Sequence, residues 1–309
     1  MKRRNSMRIL FLGTPDFASV HLEFLMKNGF DVVAVISQPD KPKGRGKKIL
    51  PTPVKEVALK YNIPVFQPKK LNKEGLKIIE NLKPDIGIVV AYGKLLKPPF
   101  LNTLEFYNVH ASLLPSYRGA APIQRVLENG EKRTGITIFK IGEGMDDGPI
   151  ALKKEVEVGE FETFGELYEK LLDLGKKALI EFLNNYPIEL IPQEGKVSFA
   201  PKITKEDLKL DFSKDVTFVK NKIRAYDPLP GVRVLFKRKI VKLFGVFSVL
   251  ENSSREIGKI ISIDKEGALI SCENGSVKVR YIQFPGKRKM TFFEAKNGCL
   301  IKEGECFDC

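Results

Sequence analysis

Histidine, cysteine and tryptophan are scarce in this chain of 309 residues, which has two histidines, four cysteines and no tryptophan. No cysteine occurs before Cys272, so no disulfide framework can organise most of the chain. The two histidines, His21 and His110, lie far apart in sequence, and neither is near a cysteine. Because a zinc site needs about four such ligands, we predict no metal site.

Long apolar runs are also missing from the sequence. No stretch approaches the ~20 apolar residues that cross a bilayer. The apolar segment at residues 9–12, after the basic N-terminus, is shorter than the ~7–15 residues of a signal-peptide core. We therefore expect a cytoplasmic protein with no membrane partner.

Cys306 and Cys309 form a C-x-x-C pattern at the end of the chain. Neither histidine lies nearby in sequence to complete a metal-binding set. We interpret the pattern as an incidental, frayed tail, and a metal or redox role is the alternative.

Positive charge is in excess, with a formal net charge of +14. Residues 205–309 contain 21 Lys and Arg against 14 Asp and Glu, so this third of the chain carries half of the net charge. Such an excess favours polyanionic partners and makes nucleic acid a candidate. The alternative is a solvated, lysine-rich surface of the kind found in heat-adapted proteins.

Strand and helix patterns alternate over the first 185 residues. An apolar run at residues 7–13 predicts a buried strand, and residues 16–27 and 31–36 predict a helix and a second strand. This order predicts a parallel, right-handed unit, and its continuation predicts a Rossmann-like α/β fold with an open, mostly parallel sheet and helices on both faces.

The pattern changes where prolines and glycine interrupt it, around residues 187–205. Beyond that point short strands follow one another and predict a small β-barrel, with the oligonucleotide-binding (OB-like) type as one option. We predict a catalytic domain at residues 1–188, a linker at 189–206 and a basic β-barrel domain at 207–309.

Nucleotide fingerprints are absent. The first glycine turn, at residues 13–16, reads GTPD rather than G-x-G-x-x-G, and no G-x-x-x-x-G-K-[ST] occurs, so NAD and ATP are disfavoured. The loop at residues 38–48 is instead rich in Lys, Arg, Gly and Pro. We predict no regular structure there, and interpret it either as a basic finger that orders on a phosphate backbone or as a solvated, mobile loop.

Asn108 and His110 are two residues apart on a predicted strand, so their side chains lie on the same side. An imidazole and a carboxamide that leave a strand end together suit proton transfer and the binding of an oxyanion. The glycine-rich segment 142–148 is interpreted either as a simple turn between two strands or as the source of a carboxylate that orients the histidine, and the spacing does not choose between Asp146 and Asp147.

Several motifs together resemble the folate-dependent formyltransferases, and among them the methionyl-tRNA formyltransferase family. The matching segments are FLGTPDFA at 11–18, QPD at 38–40, GRGKK at 44–48, VAYG at 90–93, NVHASLLP at 108–115, YRGAAPI at 117–123 and IRAYDPLPG at 223–231. The histidine motif is common to the folate-dependent enzymes. The basic loop and the C-terminal domain are specific to those that act on tRNA.

This resemblance implies transfer of the formyl group of 10-formyltetrahydrofolate to the α-amino group of methionine on initiator tRNA, in translation initiation. The resemblance implies a catalytic triad of Asn108, His110 and Asp146. It implies a folate-binding loop made of Ser112, Leu113, Leu114 and Pro115. The implied basic contact to tRNA consists of Arg45, Lys47 and Lys48. Here the family's Gly-Leu-Asp-Thr-Gly reads Gly-Met-Asp-Asp-Gly. No metal is implied, and we expect a monomer.

Two other functions compete with this one. A sugar-nucleotide N-formyltransferase would share the folate donor and the triad, but would not need the basic loop and the positive C-terminal domain. A protein of another class would bind tRNA without catalysis, and the presence of all three triad residues argues against it.

Overall fold

The chain forms two compact units in a computed structural model that describes residues 7–43, 48–250 and 256–308. The first unit consists of the residues up to Ala120 together with Thr134–Val156 and Lys170–Ala200. The second consists of Ala121–Arg133, Glu157–Glu169 and the residues from Pro201 onward. The units therefore follow spatial contacts rather than chain order.

A seven-stranded sheet in the order β10-β9-β7-β6-β1-β2-β5 forms the centre of the first unit. Its strands are β1 (Arg8–Gly13), β2 (Asp31–Ile36), β5 (Val65–Phe66), β6 (Ile86–Val90), β7 (Phe106–His110), β9 (Arg133–Lys140) and β10 (Ile150–Glu157). Neighbouring strands from β5 to β7 are parallel, and β9 is antiparallel to β7. The predicted open, mostly parallel α/β sheet is confirmed.

Burial explains why β1 and β6 occupy the middle of the sheet. Every residue of β6 is buried, as is every residue of β1 after Arg8. Strands covered on both faces read as continuous apolar runs, which is the pattern of the sequence here. Gly87 in β6 lets the ring of Phe106 lie close, because a Cβ at this glycine would come within 2.2 Å of that ring.

Seven α-helices occur in the described residues, and the first has the predicted bounds. They are α1 (Asp16–Lys27), α2 (Pro53–Lys60), α3 (Lys73–Leu82), α4 (Pro122–Glu128), α5 (Phe164–Asn185), α6 (Val216–Ala225) and α7 (Phe292–Asn297). Among the described residues, none of them is both long enough and apolar enough to cross a bilayer. The short helix α7 was not predicted, although Thr291 and Glu294 form the capping box that marks its start.

The basic loop at residues 38–48 differs from its prediction. Strands β3 (Lys41–Lys43) and β4 (Lys48–Leu50) pair as an antiparallel hairpin, although no regular structure was expected there. Proline in β3 is tolerated because a two-stranded ribbon leaves one edge of each strand unpaired. Residues 44–47, which follow β3 in the sequence, lie outside the described part of the chain.

The second unit contains an antiparallel sheet in the order β12-β13-β16-β15-β14, with β17 on β16. Its strands are β12 (Val232–Phe236), β13 (Lys239–Leu250), β14 (Ile260–Ile263), β15 (Ala268–Ser271), β16 (Ser276–Gln283) and β17 (Met290–Thr291). The remaining short strands, β8 (Arg118–Gly119) and β11 (Phe199–Ala200), belong to the first unit and pair with each other.

The C-terminal segment joins the two outer strands of this sheet. Cys306 pairs with Lys259 beside β14, and Asp308 pairs with Leu235 of β12. Phe307 between them is 2% exposed and stacks on Phe212. The prediction of a frayed tail is therefore wrong, because these residues bridge the open edges of the sheet and bury an aromatic ring.

Candidate active site

Asn108 and His110 lie at the carboxyl end of β7, the strand that is parallel to β6 on one side and antiparallel to β9 on the other. His110 is 6% exposed, whereas Asn108 is half-buried. Ligands of open α/β sheets bind outside the carboxyl ends of the strands, so this is where a reactive pair is expected.

The hydrogen bond of His110 assigns its protonated nitrogen. Nε2 lies 2.9 Å from the backbone carbonyl oxygen of Tyr117. A carbonyl only accepts, so Nε2 carries the hydrogen and Nδ1 has the free lone pair in the neutral ring. Nδ1 faces Asp146 Oδ2 at 3.7 Å. A proton taken up at Nδ1 would therefore form an imidazolium directly opposite a carboxylate.

The structure distinguishes the two neighbouring aspartates. Asp146 has a left-handed backbone with φ of 50°, its side chain is 19% exposed, and Oδ2 accepts the backbone N–H of Gly119 at 2.8 Å. Asp147 is exposed, and its carboxylate lies over Gly144, where an added Cβ would come within 2.1 Å of Oδ2. Of the two, the structure places Asp146 beside His110.

The loop after β7 is held by its own polar contacts. Thr137 Oγ1 donates to the carbonyl of Ser112 at 2.6 Å and accepts the N–H of Leu114 at 3.1 Å. Leu114 is buried against Phe139, and Ser112 and Pro115 are also buried. Of the four residues assigned to folate, only Leu113 has a partly exposed side chain, so a ligand of this loop would meet mainly backbone atoms.

The order of the sheet reverses between β1 and β6, and it is outside such a point that open α/β sheets form a ligand-binding crevice. Thr14 Oγ1, just after β1, donates to the carbonyl of Tyr92, just after β6, at 3.1 Å. Gln38 Nε2, just after β2, donates to the same carbonyl at 3.3 Å. Burial raises the pKa of the Tyr92 hydroxyl to about 12, and this oxygen has no partner among the described residues. The polar side chains of Thr14 and Gln38 beside this point are thus neutral, and the Tyr92 hydroxyl is buried.

Sequence reasoning missed the contribution of residues 191–200, which were interpreted as linker. Ser198 Oγ accepts the N–H of Tyr117 at 2.9 Å, and β11 pairs with β8. Gln193 contacts both Arg118 and the backbone of Asp146. No periodicity or motif marks these residues, so only their contacts in the fold assign them to the site.

Of the three residues predicted to contact tRNA, one lies within the described part of the chain. Arg45 and Lys47 lie outside the described residues, and Lys48 begins β4. The base of the hairpin is anchored by Lys55, whose ammonium contacts the Asp40 carboxylate at 2.5 Å. Burial raises the pKa of Asp40, but hydrogen bonds from Lys55 and Gln67 outweigh it and lower the pKa overall.

Cations lie over aromatic rings on the sheet of the second unit. The Arg280 guanidinium is 4.8 Å from the centre of the Phe247 ring, and Lys289 Nζ is 5.0 Å from that of Phe244 and 5.1 Å from that of Tyr281. Arg280 and Lys289 are exposed. Such pairing of positive charge with aromatic surface is suited to nucleic acid. No group of three metal-binding side chains occurs within the described ranges.

Comparison with known proteins supports one family. Residues 7–183 match the formyl transferase family, and residues 202–300 match the formyl transferase C-terminal domain. The methionyl-tRNA formyltransferase of Thermosipho africanus (strain TCF52B) is 74% identical over 303 residues, which cover 98% of this chain and 100% of that protein.

Two solved structures share the fold at low sequence identity. The methionyl-tRNA formyltransferase from Clostridium thermocellum is 17% identical with a TM-score of 0.56, over 88% of this chain and 98% of that one. HypX from Aquifex aeolicus in complex with tetrahydrofolic acid is also 17% identical, with a TM-score of 0.63 over 98% of this chain but only 51% of its own. By the match over residues 7–183 and the near-full-length relative, this chain belongs to the formyl transferase family.

Proposed function

We propose that this chain transfers the formyl group of 10-formyltetrahydrofolate to the α-amino group of methionine on initiator Met-tRNA. The observation that carries the proposal is that Asn108 and His110 end one strand of a formyl transferase fold and that Asp146 faces His110 at 3.7 Å. The 74% identical relative named as a methionyl-tRNA formyltransferase supports the choice of acceptor.

The proposed reaction is direct attack of the methionyl amine on the formyl carbon, without a covalent enzyme intermediate. A new C–N bond forms, the carbonyl oxygen becomes an oxyanion, and collapse of this intermediate breaks the bond to the folate nitrogen. His110 takes the proton that the attacking nitrogen loses, at Nδ1, because Nε2 is occupied by the Tyr117 carbonyl. The same proton then serves the departing folate nitrogen.

Asn108 and Asp146 have complementary roles in this scheme. The Asn108 amide lies on the same side of β7 as His110 and donates to the developing oxyanion, a contribution of roughly 3–4 kcal/mol for one such donor. Asp146, at 3.7 Å from Nδ1, stabilises the imidazolium that forms when the proton is taken up.

The folate donor is proposed to bind along residues 112–115 and the crevice between β1 and β6. Ser112, Leu114 and Pro115 are buried, so they shape the loop, while its backbone and Leu113 are available for contact. The neutral polar groups at Thr14, Gln38 and Tyr92 suit the uncharged pterin ring better than they would suit a phosphate.

The tRNA is proposed to contact the basic hairpin, through Arg45, Lys47 and Lys48, and the basic domain at residues 207–309. Arg280 and Lys289 over aromatic rings support the second contact. We propose that the catalytic domain consists of residues 1–188 together with residues 191–200, which contact its site, and that the rest of 189–206 forms the connection. We also propose a monomer that acts in the cytoplasm, where initiator tRNA is charged.

The test is transfer of labelled formyl from 10-formyltetrahydrofolate to Met-tRNA, with an amino sugar nucleotide as the alternative acceptor. His110→Ala is expected to lower kcat by orders of magnitude and to leave folate binding largely unchanged, because it removes the base but not the loop. Near-normal turnover would reject the role of His110. Formylation of the sugar nucleotide in place of the tRNA would reject the acceptor.

A further inference from the structure

We propose that Gln193 is a positioning residue that holds Asp146 in place opposite His110. This inference rests on the proposed roles of those two residues. Gln193 belongs to the segment between the helical and strand patterns that the sequence assigned to a linker, yet its side chain contacts two parts of the candidate site.

Both the nitrogen and the oxygen of the Gln193 carboxamide form hydrogen bonds. Nε2 donates to the carbonyl oxygens of Asp146 and Gly148, both at 2.8 Å. Oε1 accepts from Arg118, at 2.7 Å from Nη2 and 3.2 Å from Nε. One side chain therefore connects the turn that carries Asp146 to the strand that carries Arg118.

The turn at residues 142–148 needs this support because most of its side chains do not pack against the rest of the unit. Glu143, Gly144, Met145 and Asp147 are exposed. Asp146 is in the left-handed region, which a residue with a side chain adopts only when its surroundings require it. By holding the carbonyls on both sides of residue 147, Gln193 stabilises this backbone conformation.

Arg118 extends the tether to the carboxylate itself. The next residue, Gly119, donates its N–H to Asp146 Oδ2 at 2.8 Å. Gln193 thus connects the backbone carbonyl of Asp146 with β8, the strand whose Gly119 binds the Asp146 carboxylate. Movement of either would change the 3.7 Å separation between Oδ2 and His110 Nδ1.

The segment that carries Gln193 is itself fixed at both ends. Ile191 pairs with Ile150 through two backbone hydrogen bonds of 2.7 and 2.8 Å. Further along, β11 pairs with β8. A side chain on this segment is therefore a rigid support for the turn rather than a mobile contact.

The chemistry requires glutamine. Its amide offers two donors to the carbonyls and an acceptor to the guanidinium, whereas a glutamate of the same size has no donor. Gln193→Glu would keep the pair with Arg118 but direct a carboxylate oxygen at two carbonyl oxygens. This substitution therefore separates loss of the tether from loss of side-chain volume.

The experiment measures kcat and KM of the full chain with 10-formyltetrahydrofolate and Met-tRNA. We expect Gln193→Ala and Gln193→Glu each to lower kcat about 10- to 100-fold, with either KM changed less than about threefold, because small displacements at a reacting centre cost up to about 100-fold. Asn28→Ala is the matched control: it removes an amide that donates to a helix carbonyl at 2.8 Å in the same unit, and kcat is expected to stay unchanged.

A double variant distinguishes positioning from a general effect on folding. If Gln193 acts through Asp146, then Gln193→Ala adds less than about a twofold loss in an Asp146→Asn background. Wild-type kcat in both Gln193 variants, or the same loss in both backgrounds, would overturn the inference. Full turnover by Asp146→Asn alone would instead overturn the proposed catalytic role, and the inference with it.

Discussion

The sharpest prediction concerns replacement of Asp146 by asparagine, which changes charge with almost no change in shape. The asparagine Oδ1 can still accept the N–H of Gly119, so the turn keeps that contact. What is lost is the negative charge 3.7 Å from His110 Nδ1. Only a step in which the imidazole is protonated should suffer.

The size of the effect follows from the distance. Two unit charges 3.7 Å apart attract by about 4 kcal/mol at an effective dielectric constant of about 20, and by about 1 kcal/mol in water. Because the carboxylate is largely buried, we expect a loss of about 3 kcal/mol of imidazolium stabilisation. At about 1.4 kcal/mol for each factor of ten, kcat should fall roughly 100-fold.

The assay is steady-state formylation of Met-tRNA, with kcat and both KM values measured for each variant. Asp147→Asn is the control, since it removes the same charge from the neighbouring, exposed residue, and its kcat should stay within about threefold of wild type. A fall of less than about fivefold for Asp146→Asn, or an equal fall for Asp147→Asn, would refute the electrostatic role.

Three further predictions test other parts of the molecule. Arg45→Ala should weaken use of whole tRNA and flatten its dependence on salt, because a phosphate contact releases counterions, while a minimal aminoacyl acceptor should be unaffected; equal losses on both would contradict an RNA contact. Burial lowers the pKa of His21 to about 4, below its value of 6.5 in the unfolded chain. Between pH 4 and pH 6.5 the unfolded state therefore binds a proton at His21 that the folded state does not bind. Unfolding free energy should therefore fall by about 3 kcal/mol as the pH is lowered from 6.5 to 4, and urea titrations should find this slope removed in His21→Phe. Phe307→Ala should destabilise the second unit by about 3–5 kcal/mol, and Phe218→Ala, which removes a ring that is 39% exposed, by much less; similar shifts in Tm would contradict the closing role of the C-terminal segment.

Some features could be read from the sequence because they depend on neighbouring residues. The run of residues 86–90 is apolar throughout, and a strand covered on both faces requires that composition. Helix α1 begins at Asp16, where the pattern predicted. Asn108 and His110 were correctly assigned to one strand, because a short apolar run with alternating residues is a local pattern.

Other features could not be read because they depend on contacts between distant residues. The frayed tail was a reasonable prediction for a short polar segment, yet Asp308 and Cys306 find partners at Leu235 and Lys259. The basic loop was predicted to be irregular because proline and glycine disfavour strands, but the two ends of the loop can pair with each other. Cross-strand pairing provides hydrogen bonds that local propensity does not anticipate.

By itself, the sequence determined the alternation of the main strands and helices in the first unit, the strand end that carries His110 and the family, since each depends on local patterns or on motifs. Only the tertiary structure decided which imidazole nitrogen is free and that Gln193 supports the site, and it brought Asp146, the aspartate that the resemblance implied, opposite the histidine. The reason is physical: propensity and periodicity act between residues a few positions apart. Hydrogen bonds and ion pairs of the site join residues that only the fold brings within 3–4 Å.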